Sequence, residues 1–185
     1  MLAVWCGRTL VILPQFTPEL WLQAVQQEGT SHAFVVPTML KRIMEAPTFD
    51  ATDLSTLRLI TYGAAPMPYE VVRQAVDAFA PNAKDVGLMN SYGQTEATGS
   101  MTYLDPEDHR LNGTPEQNDK KLLRLRSVGR PMGDIDVAIL APDGRRLLLG
   151  FRSPLHEGRA LVAAIENPRE IFEAGAAPRI SPRLD

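Results

Sequence analysis

The sequence predicts an α/β fold in which a mainly parallel sheet is flanked by helices. Short apolar runs alternate with amphipathic segments three times, and a fourth apolar run follows, which is the pattern of strands joined by crossover helices. The predicted strands are residues 9–13, 33–36, 57–62 and 86–89. The three predicted helices begin at Pro18, Pro37 and Pro68 and end before Gly29, Pro47 and Pro81. Proline suits the first turn of a helix, and glycine or proline ends one.

The character of the chain changes after this α/β part, which we assign to residues 1–126. Residues 105–126 are polar and charged, and they predict a long surface loop that holds one helical turn. Residues 127–149 form an antiparallel β element of the same domain, because a Pro-Asp-Gly turn separates the apolar runs 136–140 and 146–149. Prolines interrupt residues 150–185, which predict an irregular tail with a helix at 158–166 and a disordered end.

Composition excludes several classes of function. The 185 residues are 44% hydrophobic and 22% charged, as in an ordinary globular chain. The formal net charge of −3 gives no electrostatic reason to expect a nucleic-acid partner. Cys6 is the only cysteine, so no intrachain disulfide forms, and a reducing, cytoplasmic location is expected. Residues 1–7 are apolar but too short for a transmembrane segment, and no basic residue precedes them as in a signal peptide.

One stretch after the fourth strand contains several side chains that could bind a ligand. It is a predicted loop with the sequence Asn90-Ser91-Tyr92-Gly93-Gln94-Thr95-Glu96. Tyr92 offers a flat face to a base, Gly93 lets backbone approach a ligand, and Thr95 offers a hydroxyl to a phosphate oxygen. Glu96 suits Mg²⁺, which proteins bind through one or two carboxylates plus substrate phosphates. These residues alone are equally compatible with a Mg-nucleotide site and with an ordinary turn that has a core tyrosine and a solvated glutamate.

A second loop favours the nucleotide site. Gly63-Ala64-Ala65-Pro66 follows the third strand and consists of small residues. If the third and fourth strands are parallel neighbours, their carboxyl ends share one edge of the sheet, where open α/β sheets bind ligands. The small loop and the loop at 90–96 then face one crevice.

The remaining polar residues predict no second site. His32, His109 and His156 lack metal-ligand spacing. We place His32 at the start of a strand and the other two histidines in solvent. Ser91 lies outside any Gly-x-Ser-x-Gly sequence, so a hydrolase nucleophile is unsupported. The charges in residues 105–126 are interpreted as a solvated loop.

The segment Tyr92-Gly93-Gln94-Thr95-Glu96 resembles the Tyr-Gly-x-Thr-Glu motif of the adenylate-forming (AMP-binding) enzymes. Other segments support the resemblance in the family's order, namely Val36-Pro37-Thr38-Met39-Leu40, Gly63-Ala64-Ala65-Pro66, Val128-Gly129-Arg130-Pro131 and the Asp143-Gly144 hairpin. The resemblance covers residues 1–147. Gln94, with residues 105–110, looks most like the acyl-CoA synthetase or fatty-acid–CoA ligase branch. The chain therefore looks like an internal fragment of that family's N-terminal domain.

The resemblance implies an ATP-dependent acid–thiol ligase that uses Mg²⁺. A carboxylic acid, in this branch a fatty acid, becomes an acyl-adenylate and is then transferred to coenzyme A. By the resemblance, Tyr92 stacks on adenine, Thr95 contacts the α-phosphate and Glu96 binds Mg²⁺, which makes Thr95 and Glu96 the catalytic pair. The implied nucleotide-binding residues are Gly63, Ala64, Ala65, Pro66, Asn90, Ser91, Tyr92, Gly93, Gln94 and Thr95.

Several parts of the family pattern are absent from the 185 residues. They are the phosphate loop that ends in lysine, the Thr-Gly-Asp motif, and the C-terminal domain with its lysine. Residues 148–185 match no part of the pattern. We therefore expect the isolated chain to be incomplete for catalysis. The alternative is a non-catalytic fragment that binds an adenylate or self-associates through surfaces left uncovered.

Overall fold

The computed structural model describes residues 2–79, 85–95, 99–133, 135–140, 146–148, 160–164 and 181–182. Its helices are α1 (Leu2–Trp5), α2 (Pro18–Glu28), α3 (Pro37–Met44), α4 (Tyr69–Ala78), α5 (Pro106–His109) and α6 (Pro115–Arg124). Its strands are β1 (His32–Val35), β2 (Leu59–Gly63), β3 (Gly87–Gln94), β4 (Gly99–Leu104), β5 (Arg130–Pro131), β6 (Asp136–Leu140), β7 (Arg146–Leu148), β8 (Ala160–Ala164) and β9 (Ser181–Pro182). Helices and strands alternate from α2 to β3, which confirms the predicted α/β class.

The main sheet contains five strands in the order β1-β2-β3-β4-β5. Strands β1, β2 and β3 are parallel, as the sequence predicts. Strands β4 and β5 then add antiparallel neighbours, so the sheet is mixed. A second sheet has the order β7-β6-β8-β9, and its antiparallel β6–β7 pair is the predicted hairpin. The turn residues 142–144 lie outside the described part of the chain.

Local sequence explains the helix boundaries near the sheet. The Thr17 hydroxyl accepts a hydrogen bond from the Leu20 amide at 3.1 Å and caps α2, which Pro18 begins. Gly29 ends that helix with a φ of 60°, a left-handed conformation that glycine adopts without a Cβ clash. Helix α3 likewise begins at Pro37. Helices α2 and α3 therefore flank β1 at its two ends, and β1 lies next to β2 in the sheet.

The core lies between the parallel strands and the helices that connect them. Its fully buried side chains come from both layers: Leu22, Val25, Val35, Leu40, Ile43, Ile60, Val72 and Phe79. The Phe79 ring packs edge-on against Phe49, with 5.4 Å between the ring centroids. Buried side chains of this size stabilise a fold by about 1.5–3 kcal/mol each, so this core holds the parallel strands in register.

The predicted first strand is wrong. Residues 9–13 have no regular structure, and Leu10, Val11 and Ile12 are exposed, Ile12 by 80%. Strand β1 instead forms an edge of the sheet, and no described strand lies beyond it. An apolar run becomes a strand only where a neighbouring strand pairs with its backbone, and within the described residues this run has none.

The predicted loop at 105–126 is also wrong, because it contains two capped helices. The Asp105 carboxylate accepts hydrogen bonds from the Glu107 and Asp108 amides and caps α5. Thr114 and Gln117 form a reciprocal capping box at the start of α6. The charges pair across these helices, with Lys121–Glu107 at 2.9 Å and Arg124–Asp108 at 3.0 Å. Overall polarity therefore misled the prediction, although Asp-Pro and Thr-Pro are themselves helix start signals.

The tail differs from its prediction where it is described. Residues 160–164, predicted as part of a helix, form strand β8, which lies parallel to β6. Residues 181–182 form the short strand β9. Leu161 and Val162 are followed by small alanines, and an apolar run of this length fits a strand as well as a helix.

Candidate functional site

The two predicted site loops lie side by side at the carboxyl edge of the parallel strands. Strands β2 and β3 are parallel neighbours, and Gly63, the last residue of β2, pairs with Ser91. A Cβ added to Gly63 would lie only 2.1 Å from the Ser91 carbonyl oxygen, so the close approach requires glycine. Ala64 follows with a φ of 65°, which turns the chain sharply away from the sheet. The predicted convergence of the two segments is therefore confirmed.

Residues 90–94 of the predicted site lie on a strand, where the sequence predicted a loop. Strand β3 continues through Gln94, and β4 pairs antiparallel with it. The register shifts between Tyr92 and Gly93, as at a β-bulge, and a Cβ on Gly93 would lie 2.1 Å from the Gly99 carbonyl oxygen. The strand extends beyond the predicted residues 86–89 because β4 pairs with the backbone of residues 90–94. Asn90 and Ser91 thus pair with a strand on each side, and residues 92–94 pair with β4 alone.

Side chains on this strand point alternately to the two faces of the sheet. Asn90 and Tyr92 lie on one face, and Ser91 on the other. The Tyr92 hydroxyl accepts a hydrogen bond from Gln94 Nε2 at 3.2 Å. Partial burial raises the pKa of Tyr92, and the Gln94 hydrogen bond lowers it to a smaller extent. The Ser91 and Ser100 hydroxyls lie 2.7 Å apart across the hairpin.

The far end of the segment belongs to the connection between β3 and β4. Thr95 begins this connection and is exposed to solvent. Glu96, the predicted Mg²⁺ ligand, lies outside the described residues, as do Ala97 and Thr98. The described residues hold no group of three His, Cys, Asp or Glu side chains suited to a metal ion. The roles assigned to Thr95 and Glu96 remain predictions.

A buried polar cluster lies directly beneath Asn90. Tyr62 pairs with Asn90 in the β2–β3 register, and its hydroxyl is hydrogen-bonded to the Asn90 carboxamide. The Tyr62 oxygen also lies 2.8 Å from His109 Nε2, and His109 Nδ1 lies 2.8 Å from the Asp105 carbonyl oxygen. Tyr62, His109 and Asn90 are exposed by only 1%, 3% and 9%. Burial raises the pKa of Tyr62 far above its usual value, so this hydroxyl stays protonated.

Asn90 Oδ1 is the unusual atom of this cluster. It is buried, and within the described residues it accepts no hydrogen bond. An unpaired buried carbonyl oxygen costs about 1–3 kcal/mol, which native proteins seldom accept without a reason. Because Asn90 lies one residue from the Gly63–Ser91 contact, this acceptor lies at the edge where the two segments meet. Asn90 therefore holds a buried acceptor whose hydrogen bond is not made within the described residues.

The prediction that His109 lies in solvent is wrong. Helix α5 packs against β3, and the imidazole ring stands edge-on to the Tyr62 ring with 5.7 Å between centroids. Residues 62 and 109 were both missed as members of the site. A tyrosine inside an apolar strand and a histidine one turn after an Asp-Pro helix start are weak signals, since only the fold brings them together.

The burial of His109 has a consequence for stability. Burial lowers its pKa from 6.5, and hydrogen bonding to the Asp105 backbone and the charges of Asp108 and Asp105 raise it by less. Below pH 6.5 the unfolded chain therefore binds a proton at this histidine more readily than the folded chain does. The free energy of unfolding accordingly falls as the pH falls. We expect the wild type to lose up to about 1.4 kcal/mol per pH unit more than His109→Gln. Urea unfolding of both proteins between pH 7 and pH 5 measures this difference, and parallel curves would contradict it.

Comparisons with known proteins identify the family. The family model described as AMP-binding enzyme matches residues 1–152. The chain belongs to the AMP-binding enzyme family. Among curated AMP-binding relatives, an indoleacetate–CoA ligase from Aromatoleum aromaticum is 30% identical over 72% of this chain and 25% of its own length. A medium/long-chain-fatty-acid–CoA ligase from Mycobacterium tuberculosis is 30% identical over 78% of this chain and 22% of its own length.

Solved structures of AMP-binding enzymes support the same assignment. An amide bond synthetase from Marinactinospora thermotolerans superposes with a TM-score of 0.65 and 32% identity, over 76% of this chain and 25% of that one. The N-terminal domain of FACL13 from Mycobacterium tuberculosis gives a TM-score of 0.61 and 26% identity, over 78% of this chain and 32% of that domain. The chain thus spans about a quarter of the length of the relatives it matches. As expected from its sequence, it corresponds to part of the family's N-terminal domain.

These AMP-binding relatives act on different acids, to judge from their names. The first relative is named for indoleacetate and the second for medium- or long-chain fatty acids. A third, from an Amycolatopsis species, is named a feruloyl-CoA synthase. Membership of the family therefore does not identify the acid. None of the helices described for this chain is long and apolar enough to cross a bilayer.

Proposed function

We propose that this chain forms the adenylate-binding part of an ATP-dependent acid–CoA ligase. In the complete reaction a carboxylic acid attacks the α-phosphorus of ATP, pyrophosphate leaves, and the coenzyme A thiol then displaces AMP. A fatty acid is the proposed substrate, which the sequence of residues 94 and 105–110 supports. The exposed thiol of the single cysteine, Cys6, supports a cytoplasmic location.

The observation that carries this proposal is the meeting of the two motif segments where β2 and β3 end, with Gly63 opposite Ser91. Open α/β sheets bind ligands at this edge. Asn90, the residue before Ser91, would lie beside the base of a bound nucleotide. Tyr92, on the same face two residues further along β3, would stack on the base, and residues 63–66 would offer backbone groups to it.

The phosphate end of the nucleotide is assigned to the connection between β3 and β4. Thr95 is exposed there and free of a packing role, so its hydroxyl is available to a phosphate oxygen. Glu96 would hold Mg²⁺, which supplies positive charge where negative charge builds on phosphate. Gly93 lets the end of β3 approach Gly99 at the start of β4. The chain's own contribution is therefore to orient the nucleotide and to place this connection at its phosphates.

Thermal unfolding of the 185-residue chain with ATP, with and without Mg²⁺, tests the proposal. A ligand that binds only the folded state raises the unfolding midpoint by mass action. We expect ATP to raise the midpoint and Mg²⁺ to raise it further. Glu96→Ala is expected to lose the metal-dependent part of the shift while its midpoint without ligand stays near that of the wild type. Glu70→Ala, which removes an exposed carboxylate from α4, serves as the matched control.

Two results would contradict these assignments. No ATP-dependent shift in the wild type would reject nucleotide binding by this chain. A normal Mg²⁺ response in Glu96→Ala, or an equal loss in Glu70→Ala, would reject the metal role of Glu96 alone. Pyrophosphate exchange with a panel of fatty acids then asks whether the chain completes adenylation without further segments.

A second candidate function is association with another copy or partner, and exposed apolar side chains favour it. Phe34 is exposed by 57% on the edge strand β1, and Trp5 and Ile12 are exposed by 89% and 80%. An edge strand that carries an exposed apolar side chain is a surface on which another chain can pair. Sedimentation of the wild type and of Phe34→Lys distinguishes this function, because a charge on the edge would disperse such an assembly.

A further inference from the structure

Helices α5 and α6 form a flap, defined as residues 105–124, in which α5 packs against β3 and α6 packs against α5. The structure describes all of these residues, and His109 is the only buried one among them. Leu111 and Leu122 are partly buried against the core. The flap therefore rests on the sheet through one buried side chain and a few partial apolar contacts.

Ion pairs join the two helices of the flap to each other: Lys121–Glu107 at 2.9 Å and Arg124–Asp108 at 3.0 Å. Two further ion pairs, Arg110–Asp85 and Arg130–Asp105, connect the flap to the rest of the chain. These two pairs lie at the protein surface, where ion pairs contribute little to stability. The buried hydrogen bond between His109 and Tyr62 is therefore the strongest polar attachment of the flap to the sheet.

A cavity of about 340 Å³ lies beside His109, between the flap and the core. Its apolar lining includes Phe79 and Leu88 on the core side and Pro106 and Leu111 on the flap side. Side chains that face a cavity lack packing partners there, so separating the two sides breaks few van der Waals contacts. Regions with few buried contacts open most readily. Releasing the flap therefore costs less free energy than releasing a close-packed helix.

The surroundings of His109 favour a neutral ring. Its Nδ1 lies 2.8 Å from the Asp105 carbonyl oxygen, which only accepts, so Nδ1 carries the hydrogen and Nε2 accepts from the Tyr62 hydroxyl. Burial lowers the pKa of His109 from 6.5, and the Asp105 backbone and the charges of Asp108 and Asp105 raise it by less. An open flap exposes the ring to water and returns this pKa toward 6.5. Opening therefore becomes more favourable as the pH falls below that value.

The charged groups near the ring do not reverse this effect. By element, the titratable and charged groups around the ring and the cavity are Asp105, Asp108 and Arg110 of the flap, Arg124 of α6, Tyr62 of β2, Arg130 of β5, Asp77 of α4 and Asp85 before β3. Each of the four carboxylates is already paired with an arginine. Burial raises the pKa of Tyr62, so this hydroxyl stays neutral. A proton on His109 therefore adds a buried positive charge that has no carboxylate of its own.

We propose that the flap is an acid-released element: protonation of His109 frees residues 105–124 from the sheet while the parallel strands and their helices stay folded. The largest fully buried side chains all precede residue 105, so the core keeps its packing when the flap leaves. The inference does not depend on nucleotide binding. An isolated helix of ten residues is unstable in water, so α6 unfolds once it is released.

Amide hydrogen exchange of the 185-residue chain between pH 7 and pH 5, repeated at low urea concentrations, measures the opening of each segment. Protection factors are corrected for the pH dependence of the intrinsic exchange rate. We expect the flap amides to be less protected than those of α3 and to respond little to urea, because a local opening exposes little surface. Below pH 6.5 their protection should fall by up to about tenfold per pH unit.

Two variants assign the pH response to one residue. His109→Gln retains a hydrogen-bonding side chain that does not titrate, and its flap protection should not change with pH. His32→Gln removes an exposed histidine from β1 and should keep the wild-type response.

Equal protection and equal urea dependence in the flap and in α3 at every pH would overturn the proposal. An equal pH response in the wild type and in His109→Gln would overturn it as well. If His109→Gln does not fold, the wild type decides alone. The proposal then requires a flap that opens separately from α3 and that opens more often as the pH falls, and the absence of either behaviour refutes it.

Discussion

Gly129→Ala is expected to lose about 4 kcal/mol of unfolding free energy, the largest effect among the glycines near the site. Gly129 has a φ of +84°, and a Cβ there would lie 1.9 Å from the Tyr103 carbonyl oxygen. A left-handed conformation costs a side chain about 1–3 kcal/mol, and an overpacked contact with backbone costs about the same again. The clash would push β5 away from β4, where Tyr103 pairs with Arg130. Urea unfolding measures the loss.

Gly133→Ala is the matched control for this variant. A Cβ on Gly133 meets no atom of the described residues within 4 Å, and its φ lies outside the left-handed region. We expect it to change the unfolding free energy by less than about 0.5 kcal/mol. A similar small change in Gly129→Ala would mean that β5 can move away at no cost.

Gly63→Ala is expected to destabilise the fold by roughly 3 kcal/mol and to weaken AMP binding by at least about tenfold. The added methyl would lie 2.1 Å from the Ser91 carbonyl oxygen, so the end of β2 must separate from β3. That separation moves the 63–66 loop away from Asn90, whose carboxamide we assign to the base. Urea unfolding gives the first quantity, and an AMP titration of the folded variant gives the second.

Gly99→Ala tests whether the effect is specific to the junction of the two strands. Its Cβ would meet no atom within 4 Å in the part of the chain that the structure describes, although Gly99 lies in the adjacent hairpin. We expect nearly unchanged stability and AMP affinity in this control. If Gly63→Ala lost stability and kept full AMP affinity, the placement of the nucleotide beside the 63–66 loop would be refuted.

The parallel half of the sheet was predictable because its signals are local. Proline begins helices α2 and α3 at Pro18 and Pro37, and the apolar runs between the helices have the length of buried strands. From these signals it follows that the 63–66 loop and residue 91 share an edge, as the β2–β3 register confirms. The site's location therefore follows from pattern and topology alone.

The remaining features depend on contacts that no local pattern encodes. Residues 90–94 form a strand because β4 folds back along them, and residues 9–13 do not form one because no described strand pairs with them. His109 was expected in solvent because its neighbours are charged, yet α5 turns it inward onto Tyr62. The hydrogen bond between Tyr62 and His109 is harder still to predict, because 47 positions separate the two residues along the chain.

The reversal of strand direction at β3 has a consequence for how the molecule folds. On one side β3 pairs with β4, which begins only five residues after β3 ends, so this pairing closes a short loop at little entropic cost. On the other side it meets β2 only after helix α4 has crossed between them, which closes a much longer loop. The hairpin can thus form early and carry residues 90–94 as a preformed ribbon. The crevice itself is completed only when β2 docks, so the two walls of the site belong to different stages of folding.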